Sequence, residues 1–315
     1  MVSIDKSQWR FRSTSLRIKD PKRSLEFYKF LGMSVLKKTS MPFLNLDSYS
    51  LCYRPQGPRP KEGILELLHN DGSENNASFA VANGNDEPDL GYGHICISVD
   101  SLPAACERLE KRGCRFQKKL REGPNSHMAF VLDPDGYWIE LVSNQPLAHI
   151  KDPEKTDTDS YLLNHTMLRV SDPQRTRAFY EEILGMRLLW SLDLENIESR
   201  FEFYGFCEVD DARKYGGDVA RGENPVFHRQ GVLELKYHHR DRRNGVVYYN
   251  GNGNSKPRGF AWICIAIDDL VAACEYLDRK GVVWIKRLSD GPGNTYAIMT
   301  DPDGYWIKMI DNQAD

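Results

Sequence analysis

Apolar and polar positions alternate along this 315-residue chain in two periods, and the order in which the periods appear occurs twice. Alternation over residues 14–18 predicts a strand. Asp20-Pro21 then opens a helix, with aspartate at the capping position and proline in the first turn. Leu25, Phe27, Tyr28 and Leu31 supply its buried side before Gly32 stops it. Strands are predicted at 48–53, 64–68 and 94–99. A second helix follows, in which Leu102, Ala105, Cys106 and Leu109 recur at helical spacing until Gly113.

The second pass repeats the first. Arg169-Val170-Ser171-Asp172-Pro173 answers Arg17-Ile18-Lys19-Asp20-Pro21, and Leu184-Gly185-Met186 answers Leu31-Gly32-Met33. Strands at 201–204, 232–237 and 262–267 lead to a helix carrying Leu270, Ala273, Cys274 and Leu277, ended by Gly281. The clearest repeat is Asp133-Pro134-Asp135-Gly136-Tyr137-Trp138-Ile139, which returns unchanged as Asp301-Pro302-Asp303-Gly304-Tyr305-Trp306-Ile307. Asp-Pro-Asp-Gly is a turn that uses proline's fixed φ and glycine's freedom to deliver the following residues into a strand. Extra sequence in the second pass falls between Met186 and Glu234, where the polar stretch 209–224 reads as an elongated loop. Both passes carry Asn-Gly-Asn, at 83–85 and 252–254, and the acidic stretch 151–159 links them. The expectation is an α+β protein of two tandem domains, 1–150 and 160–315. Each domain holds two βαβββ units, and the four units form paired, curved mixed sheets.

Composition narrows the function classes. With 40% hydrophobic residues, 28% charged residues and a formal net charge of -3, the chain reads as a soluble globular protein without a basic run for nucleic acid. It has no apolar run that would span a membrane, and residues 1–15 lack a signal-peptide core, so a cytoplasmic location is expected. The seven cysteines show no Cys-x-x-Cys pair, as expected of reduced core thiols.

Comparing the halves isolates the candidate chemistry. His165 stands where the first half has Ser13, and His94 where the second has Trp262. Glu140, directly after the repeated heptapeptide, is answered by Lys308, while Glu234 and Glu66 match. One set therefore contains two histidines and two glutamates, suited to a borderline divalent ion such as zinc or nickel. The complementary set, Ser13, Glu66, Trp262 and Lys308, cannot hold a metal.

Asn164-His165-Thr166-Met167-Leu168-Arg169-Val170, Gly231-Val232-Leu233-Glu234-Leu235, Gly91-Tyr92-Gly93-His94-Ile95 and Asp133 through Glu140 together resemble the signature segments of the glyoxalase I (lactoylglutathione lyase) family. That family belongs to the vicinal oxygen chelate superfamily, and the similarity is to its two-domain fused form. The resemblance runs from about residue 12 to residue 312. It implies cup-shaped sheets and a metal site shared between halves, joining His165 and Glu234 to His94 and Glu140. It further implies isomerisation of the methylglyoxal–glutathione hemithioacetal to S-D-lactoylglutathione, with Glu140 as general base and Glu234 serving the opposite enantiomer. One divalent ion per chain, zinc ahead of nickel, would act as Lewis acid, and a monomer would suffice. The family's substrate-binding positions fall on Arg169, Lys118 and His238, the last a departure from the family's asparagine, while Leu90 replaces its arginine. The metal-less set keeps Arg17, Asn70, Arg258 and Lys286 at the matching positions, which leaves it open to a glutathione-like anion. The alternatives are an extradiol dioxygenase, which takes two histidines and one glutamate from a single domain, and a non-catalytic ligand-binding member of the superfamily.

Overall fold

The computed structural model describes residues 4–41, 45–53, 61–122, 127–145, 150, 154–208, 225–240, 246–248, 251, 258–291 and 293–313. The loop expected at 209–224 and the Asn-Gly-Asn at 252–254 lie outside them. Four modules follow one another. The first comprises β1 (Arg10–Ile18), α1 (Pro21–Phe30), β2 (Ser34–Met41), β3 (Leu46–Cys52) and β4 (Ile64–Asn70). The second comprises β5 (Tyr92–Val99), α2 (Leu102–Lys111), β6 (Phe116–Lys118), β7 (Met128–Leu132) and β8 (Trp138–Ser143). The third runs through β9 (Leu162–Arg169), α3 (Pro173–Arg177), β10 (Arg187–Leu194), β11 (Ser199–Gly205) and β12 (Val232–His238). The fourth runs through β13 (Phe260–Ile267), α4 (Leu270–Arg279), β14 (Val283–Lys286), β15 (Tyr296–Thr300) and β16 (Trp306–Asp311).

The modules pair across the duplication. One eight-stranded sheet runs β14-β15-β16-β13-β1-β4-β3-β2, joining the fourth module to the first. The other runs β10-β11-β12-β9-β5-β8-β7-β6, joining the third to the second. At each centre the seam is antiparallel, β1 with β13 and β5 with β9, and is flanked by parallel pairs. This is the mixed α+β architecture expected from the four units. β1 begins at Arg10, ahead of the expected residue 14, because Arg10 and Phe11 pair with Ala266 and Ile265 on the far half. No local pattern announces such a pairing.

The helices obey their local signals. Asp20 caps α1 by accepting from the Lys22 and Arg23 amides, and Asp172 does the same for Gln174 and Arg175 at α3. Between the Asp-Pro cap and the Leu-Gly stop, however, the third module has one residue more than the first. That residue is absorbed as a π-helical turn over Ala178–Ile183, which keeps both ends in place.

The repeated heptapeptide is more than a turn. Gly136 and Gly304 both take φ +87°, the left-handed region a side chain resists. Asp133 accepts from the Asp135 and Tyr137 amides at 2.9 Å each and from the Tyr28 hydroxyl of α1 at 3.0 Å. The Tyr137 hydroxyl donates to the Arg17 carbonyl of β1 at 2.9 Å. The second copy repeats these bonds, with Asp301 accepting from Asp303, Tyr305 and Tyr180, and Tyr305 donating to Arg169. Each clasp ties a module of one sheet to a module of the other within the same half. Between the sheets Tyr92 stacks on Phe260, ring centres 5.4 Å apart, in a continuous buried core. Thr14 meets its repeat partner Thr166 through their hydroxyls.

Candidate metal centre

Four strands bring His94, Glu140, His165 and Glu234 to one point. In β5–β9 pairing Cys96 lies opposite His165, in β5–β8 pairing Cys96 lies beside Glu140, and in β12–β9 pairing Glu234 lies beside Met167. His94, two residues before Cys96, shares its face. All four side chains are buried, and one donor atom from each lies within 4.8 Å of the others. Glu140 Oε2 is 3.4 Å from His94 Nε2 and 3.2 Å from His165 Nε2. Glu234 Oε2 is 3.3 Å and 2.8 Å from the same atoms. The two Nε2 atoms are 3.4 Å apart.

The histidine orientation has a cause. Asn164 donates both amide hydrogens, to the Val226 carbonyl at 2.7 Å and the Arg229 carbonyl at 2.6 Å, so its oxygen must accept. It lies 2.6 Å from His165 Nδ1, which therefore carries the proton and leaves the Nε2 lone pair aimed at the centre. Phe130 packs edge-on against His94, and Phe203 against His165, at ring distances of 5.3 and 5.4 Å.

Two carboxylates and two imidazoles in a buried space make a donor set that suits a divalent ion. The electrostatics agree. Burial pushes Glu140 and Glu234 up, but the imidazoles outweigh it and hold both below the usual carboxylate range. Burial lowers His94 and His165, yet their neighbours, Glu140 foremost at His94 and Cys96 and Glu234 at His165, raise both.

Comparison with known proteins bears on this centre directly. The sequence profile of the Glyoxalase/Bleomycin resistance protein/Dioxygenase superfamily matches residues 10–141 and again 162–309. Lactoylglutathione lyase of Schizosaccharomyces pombe is 36% identical over 99% of this chain and 99% of its own. The chain belongs to the glyoxalase I family. Glyoxalase I of Saccharomyces cerevisiae is 36% identical over 94% of this chain and 90% of its own. The crystal structure of glyoxalase I from Zea mays superposes with a TM-score of 0.70 at 25% identity, covering 97% of this chain and 93% of that one. The four candidate ligands of this glyoxalase I family member come two from each half, so neither half holds the two histidines and one glutamate of the dioxygenase pattern.

The three substrate positions expected from the resemblance each end a strand of the sheet that carries the centre. Arg169, at the end of β9, donates to the Gly84, Gly91 and Tyr92 carbonyls and to Asn85 Oδ1, so it holds the segment that leads into β5. Lys118 ends β6 and donates to the Met128 carbonyl at 2.9 Å. Burial lowers its pKa while Glu140 pulls the other way, which places it in that carboxylate's field. His238 ends β12, where its Nδ1 accepts from the Arg240 amide at 3.3 Å. Asn164 went unremarked as a functional residue in the sequence, although it precedes His165. Its role needs the Val226 and Arg229 carbonyls, which arrive from a distant segment.

The matched positions of the other sheet carry no such set. Ser13 lies opposite Cys264, Lys308 beside Cys264, and Glu66 beside Ser15. Among the described residues no His, Cys, Asp and Glu cluster of metal-holding geometry occurs there. No described helix is long and apolar enough to cross a membrane.

Proposed function

We propose that this protein is a metal-dependent lactoylglutathione lyase, isomerising the methylglyoxal–glutathione hemithioacetal to S-D-lactoylglutathione at one centre per chain. The convergence of His94, Glu140, His165 and Glu234 carries this reading. Zinc, ahead of nickel, is the ion we assign to these donors. Bound there, it supplies Lewis-acid polarisation of the substrate oxygens.

The chain's own residues do the rest. Neutral His94 and His165 hold through Nε2. Glu140 removes the proton from the substrate carbon and returns it to the neighbouring carbon, and Glu234 does so for the opposite enantiomer. Burial of both carboxylates excludes the water that would compete for that proton. Lys118 and Arg169 add positive charge for the anionic tripeptide, Arg169 through the wall it organises, and His238 adds a polar edge at the strand end. The duplicated units, 1–150 and 160–315, complete the centre within one chain, so we assign a monomer. The seven cysteines are all free, which supports a reducing, cytoplasmic location.

The test is lactoylglutathione formation by chelator-stripped protein reloaded with zinc or nickel, alongside Glu140→Gln. Activity that returns with metal and collapses in the variant is expected. Equal activity with and without metal, or an active Glu140→Gln protein, would overturn the reading.

A further inference from the structure

The second centre keeps the strand pairing of the first and cancels its negative charge, one ammonium standing against one carboxylate. His165, Glu140 and Glu234 are answered in register by Ser13, Lys308 and Glu66, and His94, directly before the Ile95–Ile139 pair, by Trp262, directly before Ile263–Ile307. Two acceptor imidazoles and a carboxylate have become a hydroxyl, an indole N–H and an ammonium. These three groups donate; the first centre's donors to metal are all lone pairs.

The new donors are unspent. Trp262 Nε1 is buried without a hydrogen-bond partner, and buried Ser13 Oγ has no nitrogen or oxygen partner, only the Cys264 thiol opposite it. Ser13 is 1% exposed. Among the described residues Lys308 Nζ makes no hydrogen bond or direct ion pair, and rests only near ring faces, 5.5 Å from the centre of Trp262 and 5.1 Å from Tyr296. Glu66 is engaged elsewhere, its Oε2 accepting from the Ser15 hydroxyl at 2.6 Å. Burial works against the Lys308 charge, but Glu66 outweighs it and keeps the ammonium protonated, while Arg12 adds a second cation within electrostatic reach. Ser13 and Lys308 flank Cys264 on neighbouring strands and the Lys308 ammonium lies beside the Trp262 ring, so these donors share one neighbourhood that an acceptor bearing negative charge would satisfy. Trp262 and Lys308 are both partly exposed, so such a ligand has access.

We propose that this second centre is a metal-free binding site for a small carboxylate, held by the Lys308 ammonium, the Trp262 indole N–H and the Ser13 hydroxyl. A carboxylate fits because its single charge answers Lys308 and its two oxygens accept from the three donors. The further oxygens of a phosphate would find no donors in this set. The inference is independent of the chemistry assigned to the first centre.

The experiment uses the full chain, 15N-labelled at its six tryptophans. Trp262→Phe identifies the Trp262 indole resonance. Acetate and benzoate are then titrated at constant ionic strength, with inorganic phosphate and zinc as contrasting probes. A saturable shift of that resonance alone with either carboxylate, retained in Lys308→Arg and lost in Lys308→Met, is the expected result. No saturable shift with either carboxylate, or one that survives Lys308→Met, would overturn the proposal. So would an equal saturating response to phosphate or to zinc. If Lys308→Met does not fold, the wild-type and Lys308→Arg titrations decide: saturation by a carboxylate in both supports the site, and its absence from the wild type ends it. Lyase activity, measured in parallel, reports on the first centre separately.

Discussion

At the middle of one sheet, His94, Glu140, His165 and Glu234 gather lone pairs and negative charge. At the same four positions of the other, Trp262, Lys308, Ser13 and Glu66 gather N–H and O–H donors around a cation. The strands that carry them pair alike, through the same antiparallel seam and the same parallel flanks. Backbone register is therefore indifferent to the chemistry mounted on it. It is held by elements outside both candidate sets, chiefly the Asp-Pro-Asp-Gly-Tyr clasps and the buried aromatic core, which are common to both halves. Three of the four positions differ in chemistry, and the ammonium of Lys308 at the position matching Glu140 leaves Glu66 as the one carboxylate of the second set.

The contrast is broken most directly at its two paired positions. Glu140→Gln should lower lactoylglutathione formation by about 10²–10⁴-fold, the usual share of a positioned acid–base group. Lys308→Met should leave that activity near wild type, and comparable losses in both would mean that the second centre takes part in the reaction. A smaller effect is expected at Asn164→Ala, which frees the His165 ring to turn and protonate on the wrong nitrogen. Metal affinity in competition with a chelator should fall by about 10–100-fold while the fold is kept.

The shared clasps set a further expectation. Burial pushes both Asp133 and Asp301 up to about 7, with the neighbouring Asp135 and Asp303 adding to the effect. A carboxyl whose folded pKa is raised binds its proton more tightly folded than unfolded. Its contribution is therefore complete below the unfolded value near 4 and disappears as pH rises through about 7. Relative to wild type, Asp133→Asn and Asp301→Asn should each flatten the fall in thermal stability between pH 5 and 8, by about 1–3 kcal/mol per site. Unequal responses at the two sites would show that the halves are not the same scaffold. The smallest change is also the most demanding. Ser13→His, Trp262→His and Lys308→Glu combined should raise bound metal from one ion per chain to two, read by elemental analysis. A stoichiometry that stays at one would show that register alone does not make the site.

Much of this is legible in the amino-acid sequence. The Asp20 and Asp172 caps, the Gly32 and Gly113 stops and the Asp-Pro-Asp-Gly turns are local signals, written within a few residues of the structure they direct. The four candidate ligands emerged because duplication let His165 be set against Ser13 and Glu140 against Lys308. Other features had no local trace. β5 is buried along its whole length, so its alternation could not tell which face His94 takes. The start of β1 at Arg10, the orientation of His165 by Asn164, and the engagement of Arg169 with Gly84, Gly91 and Tyr92 all depend on partners distant in the chain.

The sequence by itself determined the helices, the turns, the duplication and the inventory of chemical groups, since each rests on short-range sterics or hydrogen bonds. Only the tertiary structure decided that the third module pairs with the second and the fourth with the first, and so which groups meet. That choice lies in strand pairing and core burial between segments far apart in the chain, where the energy belongs to the contact and to neither segment alone.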